Sequence, residues 1–331
     1  MGLKRPPYGR FRPVGRRPDG ALEAEVRPAS PYRLPVRGSG DRTLRVEDGV
    51  ATRLLSVEGR PVLVRAWQPG SDRVVLRAES VEPAALTRPV AGAREELAPA
   101  GRAQLELAIE RMRFALAVDL DLTGFNRRFR DDRLLGPLLR KLPSFRPQRR
   151  PWPWEALSAA VVGQLIEADR AIRIERRIVG RWGQRVGEGR DALRDVPAAA
   201  TIAGRAPAEL ASMDLAPSRA AALRRVALAA GHCDLAHADA DRRLLAIPGI
   251  GPWTVQCLGL FGRGDLDSLP AGDLGYIKLV GRLAGRGRRA TVAEVEDFYA
   301  AYEPYRGLAG AITLAGLYRL VAQGPPLRLA A

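Results

Sequence analysis

The spacing of apolar residues changes near residue 100 of this 331-residue chain. Between residues 31 and 90, segments such as TLRVEDG and PVLVRAWQPG alternate apolar and charged residues and end in turn-forming DG, EG or PG pairs. This alternation predicts a small antiparallel sheet with one face in solvent. Beyond residue 100 the spacing becomes helical, as in the series Leu105, Ile109, Met112 and Leu116. We therefore predict an α+β fold, with a small antiparallel β-rich N-terminal unit followed by a mainly α-helical unit.

This change of pattern divides the chain into three predicted segments. Residues 1–30 are rich in Pro, Arg and Gly without a period, and we interpret them as a basic tail. Residues 31–120 form the predicted β-rich domain, and residues 121–331 form the predicted helical domain. Within the helical domain we expect one helix from about residue 155 to residue 182.

The charge balance points to a polyanionic partner. Lys and Arg number 53 against 37 Asp and Glu, which gives a net charge of +16. Nucleic acid is the first expected partner and an anionic membrane surface the second. Nearly all the cations are arginines, which suits phosphate binding, although a GC-rich genome would produce the same bias.

No apolar stretch is long enough to span a bilayer, and the N-terminus lacks the apolar segment of a secretory signal. We therefore expect no membrane partner and a cytoplasmic protein, nucleoid-associated in a bacterium or archaeon.

The few cysteines and histidines exclude several classes of site. Cys233 and Cys257 are the only cysteines, too few for a disulfide scaffold, a four-cysteine zinc site or a cysteine-bound iron–sulfur cluster. His232 and His237 are the only histidines, which leaves little material for a His-based metal site or a Ser-His-Asp triad. We expect no organic cofactor.

The stretch DADRRLLAIPGIGPWTVQCLGLF is typical of a helix, a tight turn and a second helix. Gly249 and Gly251 permit backbone angles closed to other residues and leave room for a ligand to approach. The N–H groups at the start of the second helix would bind an anion, and on a basic protein a DNA phosphate is the natural one. An ordinary helix–helix corner carries the same turn, so the tetrapeptide PGIG alone does not distinguish a DNA-binding hairpin from such a corner. The predicted phosphate-binding residues of the turn are Gly249, Gly251, Trp253 and Thr254.

Together with a second segment, LPAGDLGYIKLVGRL, this stretch resembles the helix-hairpin-helix, Gly/Pro-rich-loop, catalytic-Asp superfamily of DNA glycosylases. In that family a loop with Pro and Gly follows the hairpin and ends in an aspartate, and here Asp273 follows Trp253 by twenty residues. Segments at 154–171, 208–230 and 302–320 resemble further helices of the family in the same order. The branch that the chain resembles is that of the 3-methyladenine, or alkyladenine, DNA glycosylases, which also carry a β-rich N-terminal unit.

The resemblance implies a monofunctional, monomeric enzyme that excises alkylated purines such as 3-methyladenine from double-stranded DNA, leaving an abasic site in base excision repair. Asp273 would be the catalytic carboxylate, because a nearby negative charge stabilises the cationic sugar of the transition state. From the residues alone, Asp273 is equally well a helix N-cap, and the helix end would keep it ionised at neutral pH. Bifunctional members carry a lysine where this chain has Trp253, so the resemblance implies hydrolysis without strand cleavage.

The resemblance also assigns supporting roles. Leu165 would be the wedge that fills the space left by the flipped base, the alternative being an ordinary apolar helix position. The implied base-pocket residues are Trp253, Gln164, Tyr276 and Tyr305. Two arginines near the site in sequence are further candidates for phosphate binding: Arg282 and Arg286. A structural Na⁺ or K⁺ would bind three backbone carbonyls, those of Leu245, Ile247 and Gly249.

Three other functions stay open on the sequence. One is a glycosylase for a deaminated or mismatched base, and another is a non-catalytic hairpin protein that only binds DNA. The third and most remote is a bifunctional lyase. The Gly272–Asp273 loop favours an enzyme, because phosphate binding alone does not require it. Many relatives have an aromatic residue near the position of Leu314, so the pocket lining and the preferred base are not predicted.

Overall fold

The computed structural model describes residues 12–16, 20–82, 99–189 and 191–323. The N-terminal part is a six-stranded antiparallel sheet in the order β1-β2-β6-β5-β4-β3. Its strands are β1 (Arg12–Arg16), β2 (Leu22–Val26), β3 (Leu44–Glu47), β4 (Val50–Val57), β5 (Arg60–Gly70) and β6 (Arg73–Ser80).

The prediction of a basic tail over residues 1–30 is wrong where the first two strands lie. β2 pairs with β6 from Leu22 to Val26 and is an inner strand of the sheet. Its sequence, LEAEV, alternates apolar and acidic residues, and its three apolar side chains are buried. The Pro- and Arg-rich composition around it hid this short pattern. Residues 1–11 and 17–19 lie outside the described residues.

One face of the sheet packs against α1 (Arg102–Leu116). The apolar series predicted for this helix is the buried series, and Ile109 and Met112 are fully covered. The expectation that the other face is solvated is wrong for β4, because Leu54 is buried there. A two-stranded ribbon, β7 (Arg185–Val186) and β8 (Leu193–Arg194), packs on that face.

The remainder is helical, which confirms the α+β class. Its helices are α2 (Thr123–Phe129), α3 (Leu135–Lys141), α4 (Pro153–Gly163), α5 (Ala168–Trp182), α6 (Ala199–Ala203), α7 (Pro207–Ala211), α8 (Pro217–Ala230), α9 (Ala240–Leu245), α10 (Pro252–Cys257), α11 (Leu274–Leu283), α12 (Val292–Tyr299) and α13 (Arg306–Gln323). Among the residues that the structure describes, no helix combines the length and apolar content needed to cross a bilayer.

The single helix expected from about residue 155 to residue 182 is two helices. α4 ends at Gly163, α5 begins at Ala168, and residues 164–167 connect them. The break lies at Leu165, whose φ of 57° is in the left-handed region that interrupts a right-handed helix. The apolar periodicity across residues 155–182 does not reveal this break, because the break depends on contacts made elsewhere in the fold.

Two apolar cores divide the helical part. The first joins α4, α5, α8 and α10 around buried residues such as Leu157, Leu223 and Val255. The second joins α2, α3 and α11 to α13 around residues such as Phe125 and Tyr276. Because α10 belongs to one core and α11 to the other, the segment between them lies at the junction of the two.

Candidate active site

The predicted hairpin of two helices is confirmed, with α9 and α10 joined by the turn IPGIG. Gly249 has a φ of +92°, and a Cβ placed on it would lie 3.3 Å from Cβ of Ala222. Gly251 caps α10, and a Cβ placed on it would meet nothing within 4 Å. Gly249 therefore serves the backbone of the turn, whereas Gly251 faces open space at the start of a helix.

The chain continues from α10 into a π-helical turn, Leu258–Arg263, and then a loop that ends at Asp273. The loop is anchored at Asp267, whose carboxylate accepts hydrogen bonds from the backbone N–H of Arg306, at 3.1 Å, and from its guanidinium. Ser268 donates to the carbonyl of Gln256 at 3.0 Å. These bonds fix the loop to both α10 and α13.

Asp273 is the N-cap of α11, as predicted. Its Oδ1 accepts a 2.7 Å hydrogen bond from the N–H of Gly275, and the N–H of Tyr276 also lowers the pKa of this carboxyl. Burial acts in the opposite direction and is the larger effect, so the pKa of Asp273 is raised above its ordinary value. The N–H groups at the helix end favour the ionised carboxylate, as expected, and desolvation opposes them. Ionisation of Asp273 at neutral pH stays a prediction.

Trp253 lies beside this carboxylate. Its ring lies between the end of α4 and the loop before Asp273, within 3.8 Å of a Cβ placed on Gly163 and 3.7 Å of one placed on Gly272. The buried indole N–H is directed at Asp273 and lowers the pKa of its carboxyl, although the geometry falls short of a full hydrogen bond. The sequence resemblance brought these two residues together, and the structure places them in contact.

The two tyrosines assigned to the base pocket lie deeper or farther away. Tyr276 is 3% exposed and packs edge-on against Tyr299, so it lies in the core behind Asp273. Tyr305 is half-buried and packs edge-on against Phe125, with ring centroids 5.3 Å apart. For both residues a pocket role stays a prediction.

Two residues that we did not predict as site residues lie close to Asp273. Two side-chain carbons of Leu314 lie 3.1 and 3.3 Å from a Cβ placed on Gly275. Position 314 is the one near which many relatives were expected to carry an aromatic residue. Cys257 is buried beneath the carboxylate, and burial together with the charge of Asp273 raises the pKa of its thiol. Helical spacing within α13 and α10 does not reveal either contact.

The connection between α4 and α5 projects from this site. Leu165 is 97% exposed, an unusual position for a large apolar side chain. The amide nitrogen of Gln164 donates to the carbonyl of Gly249 and to Oγ1 of Thr254, at 2.9 Å each. Gln164 is thereby turned toward the hairpin, which argues against the pocket role implied by the resemblance.

Thr254 needs correction as a phosphate-binding residue, whereas the phosphate roles of Arg282 and Arg286 stay predictions. The side chain of Thr254 is buried, with the residue 1% exposed, and its backbone N–H donates to the carbonyl of Gly251 at 3.0 Å. Neither its hydroxyl nor its N–H is therefore available to a phosphate. Arg286 is paired with Glu294 at 2.9 Å. Arg282 is half-buried on α11. A better placed cation is Arg225 on α8, exposed and 3.4 Å from the carbonyl of Pro248 in the turn, which no local pattern singled out.

The carbonyls assigned to a cation are partly used within the protein. The carbonyl of Ile247 accepts from the N–H of Ile250 at 3.0 Å, and that of Gly249 accepts from Gln164. Each of these carbonyl oxygens keeps a second lone pair, and a monovalent cation would have to be coordinated by those remaining lone pairs. The cation stays a prediction. Within the described part of the chain, no group of three or more His, Cys, Asp or Glu side chains is arranged to hold a metal.

Two curated proteins are similar in sequence, while no family model matches the chain. Over 229 residues, 67% of this chain, it is 29% identical to a Mycobacterium tuberculosis protein named "Probable bifunctional transcriptional activator/DNA repair enzyme AlkA", of which 45% is covered. Over 200 residues, 58% of this chain, it is 25% identical to the DNA-3-methyladenine glycosylase of Bacillus subtilis, of which 66% is covered. The chain thus spans less than half of the first relative's length and about two thirds of the second's.

Solved structures share the fold over nearly the whole chain. The 3-methyladenine DNA glycosylase of Archaeoglobus fulgidus matches with a TM-score of 0.73 at 18% identity, over 89% of this chain and 98% of that one. The 8-oxoguanine glycosylase/lyase of Clostridium acetobutylicum matches with a TM-score of 0.64 at 13% identity, over 93% and 99%. The chain is thus similar in sequence to AlkA and to a DNA-3-methyladenine glycosylase, and it shares the fold of solved DNA glycosylases, including the hairpin and the aspartate that follows it.

Proposed function

We propose that this protein is a monofunctional DNA glycosylase that hydrolyses the N-glycosidic bond of alkylated purines, such as 3-methyladenine, in double-stranded DNA. The observation that carries the proposal is the half-buried carboxylate of Asp273, fixed at a helix N-terminus directly beside the indole of Trp253. The names of the sequence relatives support the substrate class. We also propose that it acts as a monomer and needs no cofactor for this hydrolysis.

The chemistry follows from charge. Departure of the base leaves positive charge on the deoxyribose, and an ionised Asp273 would stabilise that charge in a site of low dielectric. The same carboxylate would position water for attack on the sugar carbon. An alkylated purine is already cationic and leaves without strong acid assistance, which suits a site where the nearest buried groups are a thiol and a phenol.

Trp253 would interact both with the damaged base and with the carboxyl group of Asp273. An indole face attracts a cationic base, which favours alkylated over ordinary purines. Its N–H lowers the pKa of Asp273 and so opposes the effect of burial. These two interactions need an aromatic side chain with a hydrogen-bond donor, and tryptophan is the residue that combines them on a large ring.

Strand cleavage is not part of the proposal. A lyase needs a nucleophilic amine near the sugar, and the hairpin position that carries it in bifunctional members is Trp253 here. Lys278 lies one turn beyond Asp273 on α11 and is paired with Glu167 at 3.4 Å. Borohydride reduction during turnover is therefore expected to trap no covalent protein–DNA adduct. A trapped adduct that disappears in Lys278→Met would overturn this part of the proposal.

The test is release of free bases from dimethyl-sulfate-treated DNA by the wild type and by Asp273→Asn. We expect the wild type to release 3-methyladenine and the variant to lose at least about a hundredfold in rate while still binding DNA. A folded wild type that binds DNA but releases no base would favour another lesion or a purely DNA-binding protein. Undiminished release by Asp273→Asn would keep the glycosylase and remove Asp273 from its centre.

A further inference from the structure

The connection between α4 and α5, residues 164–167, is here called the wedge loop. Leu165 at its tip has its side chain in solvent, so packing does not hold that side chain in place. Its left-handed backbone is a conformation that non-glycine residues rarely adopt unless neighbouring contacts impose it. The position of Leu165 must therefore be set by what holds the two ends of the wedge loop.

The N-terminal end of the wedge loop is fixed to the hairpin. The side-chain amide nitrogen of Gln164 donates both of its hydrogens, one to the carbonyl of Gly249 and one to Oγ1 of Thr254. Gly249 lies in the turn of the hairpin, and Thr254 lies in the first turn of α10. A single side chain thus joins the wedge loop to the turn and to the helix that follows it.

The C-terminal end of the wedge loop is fixed to the helix that begins after Asp273. Glu167 caps α5, and its carboxylate pairs with the ammonium group of Lys278 on α11. Glu167 is largely exposed, so this pair is the weaker of the two attachments. The stronger restraint on the wedge loop is the pair of hydrogen bonds from Gln164, because Thr254 is buried.

We propose that Gln164 is a positioning residue that locks the wedge loop to the hairpin, so that phosphate binding at the hairpin places Leu165 in the base stack. The inference rests on the proposed function, since it deepens the role of the same site. Gln164 contacts neither the base nor Asp273 in this arrangement. It acts through Leu165 on the extrusion of the base, and bond cleavage at Asp273 follows as a separate step.

If Gln164 has this role, the effect of replacing it should depend on how far the target base is already unstacked. Extruding a base from a duplex costs a few kcal/mol, and the cost is least for a base that is already out of the stack. Loss of Gln164 should therefore slow excision from a paired duplex and leave excision of an extrahelical base nearly unchanged. A residue that acts on the chemical step, or one that only supports folding, would slow both reactions equally.

The variants are Gln164→Glu, Thr254→Val and Leu165→Ala. Gln164→Glu keeps the size of the side chain but has no amide hydrogens to donate to the two oxygens. Thr254→Val removes one of the two acceptors in nearly the same volume. The matched control is Gln104→Ala on α1, which loses a 2.8 Å bond to Glu58 far from the hairpin. Unfolding temperatures of all four establish that each is folded.

The substrates are oligonucleotides with one 7-methylguanine, paired with cytosine or placed in a one-base bulge, under single-turnover conditions. For Gln164→Glu and Leu165→Ala we expect losses of roughly tenfold or more on the paired substrate and less than about threefold on the bulge. Thr254→Val should fall between these and the control. Combining Gln164→Glu with Leu165→Ala should add little, since both remove the same step.

A second readout separates this inference from the proposed activity. Fluorescence of 2-aminopurine next to the target base reports extrusion without any cleavage, and we expect the wild type to raise it and Gln164→Glu to do so much less. Equal losses on paired and bulged substrates, or unchanged fluorescence in Gln164→Glu, would overturn the role of Gln164. Extrusion without base release by the wild type would instead overturn the proposed function and leave Gln164 in its role.

Discussion

The indole N–H of Trp253 is directed at the carboxylate of Asp273, across the junction between the two apolar cores of the helical part. Trp253 stands on α10, which belongs to the first core, and Asp273 begins α11, which belongs to the second. Because the two helices belong to different cores, the contact depends on the packing of the whole helical part. Its effect is measurable, since it lowers the pH at which Asp273 ionises.

Trp253→Phe should move the acidic limb of the pH–rate profile to higher pH. The indole N–H favours the ionised carboxylate, so its removal raises the pKa of Asp273 beyond the increase that burial already causes. Since the proposed mechanism uses the ionised form, the variant should need a higher pH for the same fraction of its maximal rate. Base-release rates between pH 4 and 8 measure the shift.

The control for this variant is Trp154→Phe, which loses a 2.9 Å bond from its indole N–H to the carbonyl of Pro197 and does not contact Asp273. Its acidic limb should coincide with that of the wild type. A profile of Trp253→Phe that keeps the wild-type limb would show that the indole N–H does not influence the carboxyl of Asp273.

Leu165→Gly should separate stability from activity. The side chain is exposed, so its removal loses almost no buried area, and glycine relieves the left-handed backbone. We expect the free energy of unfolding to stay within about 0.5 kcal/mol of the wild type or to rise. Excision from duplex DNA should fall roughly tenfold or more, because the unstacking cost is no longer offset.

Leu165→Met is the matched variant, since it keeps a long apolar side chain and should retain most of the duplex activity. Urea unfolding and single-turnover excision give the two quantities for both variants. A Leu165→Gly protein that excises from duplex DNA at the wild-type rate would show that the exposed side chain is not a wedge.

Arg53→Met should destabilise the protein strongly and more at high pH than at low pH. Arg53 on β4 is the buried partner of Glu155 on α4, and it also lies near the buried Asp195. Burial raises the pKa of Glu155 to about 7 and that of Asp195 to about 6, while Arg53 opposes both increases. Its loss leaves two buried carboxyl groups without that cation, which costs about 3–5 kcal/mol when they are charged.

The sign of the pH effect follows from proton binding. Both carboxyl groups have folded-state pKa values above those of the unfolded chain, so their ionisation lowers stability as the pH rises from about 4 toward 7. In Arg53→Met these pKa values rise further. Urea unfolding at pH 5 and pH 8 should therefore show the smaller loss at pH 5, and an equal loss at both pH values would contradict a charged origin.

Local patterns were sufficient for much of the fold. The series from Leu105 to Leu116 packs on the sheet, and the glycines of the turn and the cap at Asp273 lie where their residue types predict, because each depends on the nearest residues in the chain. Arg53 stands on the same face of β4 as the buried Leu55, where alternation predicts an apolar side chain. Its burial depends on Glu155, about a hundred positions away, and no local pattern contains that pairing.

The site shows the same division. Asp273 and Trp253 could be assigned from their spacing within a known family, and the structure brings them together. Gln164 and Thr254 were assigned separate contacts with DNA, whereas they bind each other. Two polar side chains ninety positions apart satisfy one another only once α4 packs against the hairpin, so the sequence alone gives each of them no partner.

The two glycines of the hairpin should respond differently to the same substitution. Gly251→Ala places a methyl group in open space at a residue with an ordinary backbone angle, so we expect an unchanged unfolding temperature. We expect roughly three- to tenfold weaker DNA binding, because the methyl group would stand where a phosphate approaches. Gly249→Ala keeps a φ of +92° and crowds Ala222, which should cost about 1–2 kcal/mol of stability. Gly124→Ala on α2, also in open space, is the control: it should leave DNA binding unchanged and raise stability slightly, because alanine is the better helix former. Fluorescence anisotropy with duplex DNA at fixed salt measures binding, and normal affinity in Gly251→Ala would place the phosphate contact elsewhere.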